Sequence, residues 1–138
     1  EFDPCAPMKA RELAMTERDG YYTKRPDEDV QSIAAGIMGW KGRVHLHFGK
    51  PITDVPETPQ ELATLIDHQI ILGQRVFDTG RLADALLKKH HLPNDLLPDV
   101  QQRFQALISG TPEKYRDKLV EIYANPVRQF TLHQQSEL

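Results

Sequence analysis

Histidine residues are the first feature of this chain whose type and spacing could support chemistry. His45 and His47 stand two apart in the stretch RVHLHFG, in which apolar and polar residues alternate. Such alternation predicts a β-strand, so both imidazoles would lie on one face, as zinc ligands can. A zinc site needs a further ligand, and none of the other histidines lies at a recognised ligand spacing. These are His68, His90, His91 and His133. We therefore interpret the pair as the polar face of a strand and predict no metal site.

The side chains that could act as nucleophiles lack the sequence context that such catalysis requires. Cys5 is the single cysteine, so an internal disulfide is excluded and a reducing compartment is the simpler assumption. We interpret it as a structural thiol just ahead of a helix. The serines Ser32, Ser109 and Ser136 lie in no nucleophile elbow, and the glycines match neither the Rossmann nor the P-loop pattern. The sequence therefore predicts no catalytic residue and no cofactor.

Basic residues flank the predicted strand and provide the candidate binding site. Lys41 and Arg43 precede its apolar residues, and Lys50 follows them. Guanidinium and ammonium groups bind phosphate oxygens through charge-assisted hydrogen bonds, so this edge could meet an anionic substrate or a lipid headgroup. Surface solubility accounts for the same residues equally well, and both interpretations stay open. Arg43 and Lys50 are the candidate substrate-binding residues.

The composition limits the classes of protein to which this chain can belong. With 138 residues it has the size of one domain. Its formal net charge is −3 with acids and bases interspersed, which excludes the basic surface on which general nucleic-acid binding depends. No apolar run approaches the roughly 20 residues that span a bilayer. We therefore expect a globular protein with no nucleic-acid partner.

Helix-forming stretches bounded by Gly and Pro predict about six helices. The clearest start is the capping box Thr58-Pro59-Gln60-Glu61, whose helix should end near Gly73. Thr111-Pro112 should begin the last helix and Asn125-Pro126 should end it, leaving a frayed tail from Gln129 onward. Apolar residues recur at helical spacing in these stretches, and we assign such stripes to the core. The stripe of the second helix consists of Val30, Ile33, Ala34 and Ile37.

The stretch RVHLHFG, residues 43–49, is the one clear strand, with Val44, Leu46 and Phe48 on its apolar face. A strand needs a neighbour for its backbone donors and acceptors, and the other candidate is EFD at residues 1–3. Two strands separated by helices pair in parallel through a crossover, which suggests that the rest of the sheet lies upstream. The predicted fold class is an α/β fragment, predominantly helical, whose one or two short strands complete a sheet of the parent domain.

The order of these segments resembles the later part of the glycerolipid acyltransferases, the family of glycerol-3-phosphate and lysophosphatidic acid acyltransferases. In EFDPC, Phe2 and Asp3 resemble the last residues of a family strand of the form PVxIxY(E/D). A later family strand ends in FGEPI, which is similar to the stretch here formed by Phe48, Gly49, Lys50, Pro51 and Ile52. IYANPV at residues 122–127 fits the C-terminal extension of bacterial members. The resemblance is most specific over residues 1–52, and Lys50 stands where the family has Glu.

This resemblance implies a mixed sheet wrapped by helices, and transfer of a fatty acyl group from acyl-CoA or acyl carrier protein to a glycerol phosphate hydroxyl. It also implies a His-x4-Asp motif, in which the His deprotonates the attacking hydroxyl and the Asp orients the His. Only His90 and Asp95 have this spacing here, but they follow the FGKPI stretch whereas the family motif precedes it. The catalytic half would therefore lie upstream, in an N-terminal part of the same chain.

The sequence thus predicts the C-terminal region of a bacterial acyltransferase that acylates a glycerol phosphate or a lysophospholipid, with no catalysis by these residues alone. Residues 1–57 would end its α/β domain, and residues 58–138 would form a helical extension. Its partners would be the acyl donor, the glycerol phosphate lipid precursor and the N-terminal half, with a membrane surface as a further option. The expected location is the cytoplasm, either free or at the inner face of the cytoplasmic membrane.

Two alternatives to this interpretation stay open. One is a freestanding helical protein-interaction module without enzymatic activity, whose partner would bind along a helical groove. The other is a small metal-dependent hydrolase built on His45 and His47. Stoichiometric metal in the purified protein would distinguish the second alternative from the first.

Overall fold

The computed structural model describes residues 1–136, and in them the chain folds into six α-helices. The helices are α1 Ala6–Asp19, α2 Glu28–Met38, α3 Pro59–Gly73, α4 Asp78–Lys88, α5 Pro98–Gly110 and α6 Glu113–Ser136. The predominantly helical class and the approximate number of helices are therefore confirmed.

No β-strand forms among residues 1–136, so the strands predicted at residues 1–3 and 43–49 are wrong for this structure. Two backbone hydrogen bonds do join these segments, from the Phe2 N–H to Lys41 O (2.9 Å) and from the Glu1 amino group to Arg43 O (2.7 Å). Residue 1 pairs with residue 43 and residue 2 pairs with residue 41. The two segments therefore run antiparallel and not in parallel. A ladder needs further pairs, and the backbone of residues 44–50 makes no hydrogen bond within the described chain.

Local capping sets several helix ends. Gly20 ends α1 with a φ of 81°, a left-handed conformation that glycine adopts without the steric cost of a side chain. At the start of α3, the Thr58 hydroxyl accepts from the Glu61 N–H and the Glu61 carboxylate accepts from the Thr58 N–H. The predicted capping box is therefore present, and α3 ends at Gly73 as expected.

The core forms where α6 packs against α1, α4 and α5. Phe104 and Leu119 are fully enclosed, and the Phe104 ring meets the Tyr123 ring edge-on with their centroids 4.9 Å apart. The Asp3 N–H donates to the Tyr123 hydroxyl (2.9 Å), which fixes the N-terminal segment on α6. The buried cluster comprises Phe2, Ala6, Ala10, Leu82, Ala83, Leu96, Val100, Phe104, Leu119, Val120, Tyr123 and Ala124.

The last helix continues through Pro126 to Ser136, so the predicted end at Asn125-Pro126 and the frayed tail are wrong. Proline removes a backbone donor and crowds the preceding turn, which is why it was expected to end the helix. Packing compensates for this cost. Val127 lies against α4 beside Gly80, and the Gln74 side chain donates to the Pro126 carbonyl (2.9 Å).

Two apolar stripes that were assigned to the core lie at the surface instead. On α2, Val30, Ile33 and Ile37 are 69, 62 and 75 % exposed. On α3 no residue is buried, and Ile70 is 61 % exposed. The assignment was wrong because helical periodicity identifies an apolar face but not the element that covers it.

Candidate functional site

Arg43, the first candidate binding residue, is exposed and paired with two carboxylates. Its Nε and one terminal nitrogen donate to the two carboxylate oxygens of Glu1 at 3.0 and 2.7 Å, and that terminal nitrogen also reaches Asp78 Oδ2 at 3.0 Å. The guanidinium carbon lies 5.5 Å from the centroid of the Phe77 ring. The hydrogen bond to Glu1 contributes most to raising the pKa of Arg43 further above its ordinary value. The two carboxylates offset the guanidinium charge that would attract a phosphate, and within residues 1–136 they leave only Nη1 of Arg43 without a hydrogen bond.

The ion pairs continue from Asp78 along the first turn of α4. Asp78 Oδ1 accepts from Arg81 (3.3 Å), and Arg81 also donates to Asp95 Oδ1 (2.5 Å). This hydrogen bond from Arg81 lowers the pKa of Asp95. Nowhere in residues 1–136 does a hydrogen bond join Asp95 to His90, so these two residues form no dyad despite their spacing.

Lys50, the second candidate, lies on the wall of a separate groove of about 580 Å³ between residues 47–50 and α3. No Asp or Glu of the described chain lines this groove, so the ammonium group of Lys50 is accessible to an anion. Arg43 does not line it either, and the structure therefore does not bring the two candidates into one site. The lining residues are His47, Phe48, Lys50, Leu65, His68, Gln69, Leu72 and Gly73.

The remaining motif residues lie at or near the surface beside Lys50. Phe48 is 83 % exposed, Pro51 is exposed and Ile52 is half-buried. A Cβ added at Gly49 would meet the amide oxygen of Gln69, the far end of a flexible side chain on α3.

His45 and His47 attach the same segment to the end of α3. His45 Nε2 lies 3.0 Å from Gly73 O, and the His47 ring packs so tightly on Gly73 that an added Cβ would collide with it. The two rings are stacked with centroids 6.3 Å apart, so both lie on one side of the backbone. Within residues 1–136, no group of three or more His, Cys, Asp or Glu side chains could hold a metal ion.

Sequence reasoning missed one contact between histidines. His68 Nδ1 of α3 and His133 Nε2 of α6 are 2.7 Å apart, and the rings meet edge-on with centroids 4.6 Å apart. They are separated by 65 positions in the sequence, so no local spacing could have predicted the pair. Because His68 also lines the groove, the groove wall depends on the part of α6 beyond Pro126.

Cys5 connects α1 to α2 through a packing contact. Its Sγ donates to the Ser32 carbonyl (3.3 Å), and a Cβ added at Gly36 would lie 3.6 Å from the sulfur. The thiol therefore contributes a packing contact between the start of α1 and α2.

Comparison of the chain with protein-family models, curated proteins and solved structures finds no match. None of the helices in the described range is both long and apolar enough to cross a membrane. This region exposes the Lys50 side chain on the groove wall and the apolar side chains of Val44, Leu46 and Phe48.

Proposed function

We propose that this chain is the C-terminal region of a bacterial glycerolipid acyltransferase whose N-terminal half carries the catalytic His-x4-Asp motif. In that half, the His takes the proton from a hydroxyl of a glycerol phosphate or a lysophospholipid. The oxygen attacks the thioester carbonyl of acyl-CoA or acyl carrier protein, the thiol leaves, and an ester forms. The residues described above contribute scaffold and substrate contact, and the protein works in the cytoplasm or at the inner face of the cytoplasmic membrane.

The observation that carries the proposal is the contact between the two segments on which the resemblance rests. Residues 1–2 form backbone hydrogen bonds with residues 41 and 43, which lie seven and five positions before the start of the FGKPI stretch. The resemblance implies that both segments end strands of one mixed sheet, and strands of one sheet must lie side by side. Their adjacency across some 40 residues of sequence supports the proposal, and the packing of the end of α2 on Pro4 and Cys5 contributes to that adjacency.

Within this proposal Lys50 contacts the phosphate of the acceptor, whereas Arg43 is held by Glu1 and Asp78. We expect Lys50→Gln to raise the KM for the phosphate-bearing acceptor about 10-fold, because the variant loses one charge-assisted hydrogen bond to the phosphate. The value of kcat should change little. Lys114→Gln on α6, far along the sequence and stacked on Tyr115, is the matched control. Steady-state kinetics of the enzyme from the complete reading frame measures both. Equal KM values for the two variants would remove Lys50 from the site.

The proposal itself is tested by expressing the complete reading frame that contains these residues. Radiolabelled palmitoyl-CoA and palmitoyl-acyl carrier protein are offered with glycerol 3-phosphate or lysophosphatidic acid. We expect a labelled ester from the complete protein, none from the 138-residue chain, and none after the upstream motif His is replaced by Ala. A reading frame without an upstream His-x4-Asp motif, or a complete protein without transfer, would contradict the proposal.

A freestanding helical interaction module is the second candidate, and the exposed apolar side of α2 favours it. Val30, Ile33 and Ile37 follow one another along that helix, as the contact residues of a helix-binding surface do. The two candidates differ in where their activity resides. A start codon immediately before Glu1 would favour the module, and an upstream domain with the motif would favour the acyltransferase.

A further inference from the structure

The α2 helix contacts the rest of the fold along one side only. The Ser32 carbonyl accepts from Cys5 Sγ (3.3 Å). At the end of the helix, Gly39 lies so close to Pro4 that an added Cβ would collide with the proline ring. The side chain of Glu28 shares this face at the helical period, and it is the single buried side chain of α2. The packed side of α2 is therefore narrow and polar.

The opposite side of α2 is apolar and uncovered. Val30, Ile33 and Ile37 are largely exposed, and spacings of three and four residues place them on one stripe. Isolated helices shorter than about 12–15 residues are marginal in water, and α2 has 11 residues. Because α2 buries only a glutamate, its contacts within the chain supply little hydrophobic free energy. A partner that covers the stripe would supply this stabilisation.

Opposite charges stand at the two ends of the stripe. Asp27 directly precedes α2, and Lys41 follows the last residue of α2 by three positions. The Asp27 carboxylate accepts from the Gln31 amide. The Lys41 ammonium group donates to the carbonyls of Ile37 (3.4 Å) and Gly39 (3.0 Å). Within residues 1–136 neither Asp27 nor Lys41 forms an ion pair, so both charges can pair with a partner.

This pattern is self-complementary when a second copy of the chain packs antiparallel on α2. A symmetric two-fold interface uses the same patch twice, so the patch must complement itself. Val30 of each copy lies beside Ile37 of the other, and the two Ile33 side chains meet at the axis. Asp27 of each copy then faces Lys41 of the other, whereas a parallel arrangement would bring like charges together. Antiparallel packing also places opposite ends of the two helix macrodipoles side by side.

The exposed surface is large enough for such an interface. A compact monomer of this mass, 15.8 kDa, exposes about 7,300 Å², whereas this chain exposes 9825 Å², about 2,500 Å² more. A stable interface takes about 800 Å² from each partner. Met38 and Trp40 are 79 and 55 % exposed and lie at the end of the stripe, so they extend the apolar surface available to the second copy.

We infer that the chain forms a symmetric dimer through antiparallel packing of α2, with Ile33 at the two-fold axis and Asp27 of each copy paired with Lys41 of the other. Dimerisation covers the apolar stripe and stabilises α2. The dimer does not depend on the proposed acyltransferase function, because none of these residues is assigned to a substrate.

Sedimentation velocity of the 138-residue chain tests the dimer. We expect a reversible monomer–dimer equilibrium with a Kd of about 1–50 µM. Ile33→Asp places two like charges at the axis and should raise this Kd at least about 100-fold. Val55→Asp is the matched control, since Val55 is 72 % exposed and lies outside α2, and it should leave the Kd unchanged.

Charge reversal tests the antiparallel direction. Asp27→Lys and Lys41→Asp each replace both ion pairs with like-charge contacts, so each variant alone should dimerise about 10-fold more weakly. In an equimolar mixture of the two variants, both contacts of the heterodimer again join opposite charges. The heterodimer should therefore form with the Kd of the parent chain. A change confined to the fold of one copy would persist in the mixture, so this recovery separates pairing from an effect on α2 itself.

Three outcomes would overturn the dimer as described. A chain that stays monomeric at about 200 µM would leave the apolar stripe to a different partner. A dimer that survives Ile33→Asp would place the interface on another surface of the chain. A mixture of Asp27→Lys and Lys41→Asp that associates no more tightly than either variant alone would contradict the antiparallel pairing.

Discussion

Two regions of this molecule differ in whether their apolar side chains are buried or exposed. Where α1, α4, α5 and α6 meet, the apolar stripes interlock, and Phe104 and Leu119 lose all contact with water. In α2, α3 and residues 43–48, side chains of the same kinds remain largely exposed, with Phe48 at 83 %. The first region supplies the hydrophobic stabilisation of the fold, because that free energy is gained only from surface removed from water. The second region retains apolar surface that a partner can still cover.

The comparison is tested most strongly by truncating one phenylalanine in each region. Phe104→Ala should lower the free energy of unfolding by about 3–5 kcal/mol, because it leaves a cavity in a closed core. Phe48→Ala should change that free energy by less than about 0.5 kcal/mol in the 138-residue chain. Urea unfolding followed by circular dichroism measures both. A loss above 1 kcal/mol for Phe48→Ala would mean that this side chain is packed in solution and that the two regions do not differ.

Alkaline pH should lower the free energy of unfolding, because it deprotonates the buried phenol of Tyr123. Burial raises the pKa of Tyr123 to about 12, above the ordinary value of about 10. The unfolded chain therefore loses the phenolic proton first, so the contribution is fully present below pH 10 and is lost as the pH rises to 12. The expected loss is about 2–3 kcal/mol of the free energy of unfolding.

Urea titrations between pH 9 and 12 measure this loss, and Tyr123→Phe should remove it. Tyr21→Phe is the control from an exposed position, since Tyr21 is 70 % exposed, and it should keep the alkaline slope of the parent protein. An unchanged slope in Tyr123→Phe would contradict the assignment.

A pair of glycine substitutions measures how tightly the core region is packed. A Cβ at Gly80 would lie 3.0 Å from Val127 Cγ2 and 3.2 Å from Tyr123 O, so Gly80→Ala should destabilise the protein by about 1–3 kcal/mol. A Cβ at Gly110, at the end of α5, would meet nothing within 4 Å. Gly110→Ala should therefore be neutral or stabilise by up to about 1 kcal/mol. Thermal unfolding compares the two variants, and equal shifts in Tm would show that the α4–α6 contact is loose.

The smallest expected effect concerns α3, which belongs to the exposed region. Thr58→Ala removes the capping box and should cost α3 about 1 kcal/mol. Because α3 buries no residue, this cost should appear as roughly fivefold faster amide exchange within α3 and not as a lower global Tm. Thr64→Ala, which replaces a hydroxyl bonded back to Gln60 O, should instead slow that exchange. A global Tm drop for Thr58→Ala would mean that α3 unfolds together with the core.

The features that sequence could predict are those decided by neighbours along the chain. The capping box at Thr58 and the left-handed end at Gly20 depend on a few adjacent residues, and both are present. The continuation of α6 past Pro126 was not predictable, because it depends on Val127 and Gln74 meeting partners from distant elements. At Pro126, tertiary packing outweighs the low intrinsic helix propensity of proline.

The candidate site also contains features that the sequence predicts and features that it does not. Alternation correctly placed His45 and His47 on one side of the backbone, but it could not tell which side would face the protein. The choice of Arg43 rested on its charge, and the Glu1 carboxylate that occupies it is 42 residues away in sequence. Pairings of this kind depend on tertiary structure, and a periodic pattern carries no information about them.

The hydrogen bond from the Asp3 N–H to the Tyr123 hydroxyl spans 120 positions, and it has a consequence for how the protein is made. α1 leaves the ribosome well before its main packing partner, α6. The core therefore cannot close before α6 has been synthesised, and until then the apolar faces of α1 and α4 stay exposed. A nascent chain stalled before Tyr123 would keep these faces exposed and would be a client for chaperones that bind exposed apolar segments.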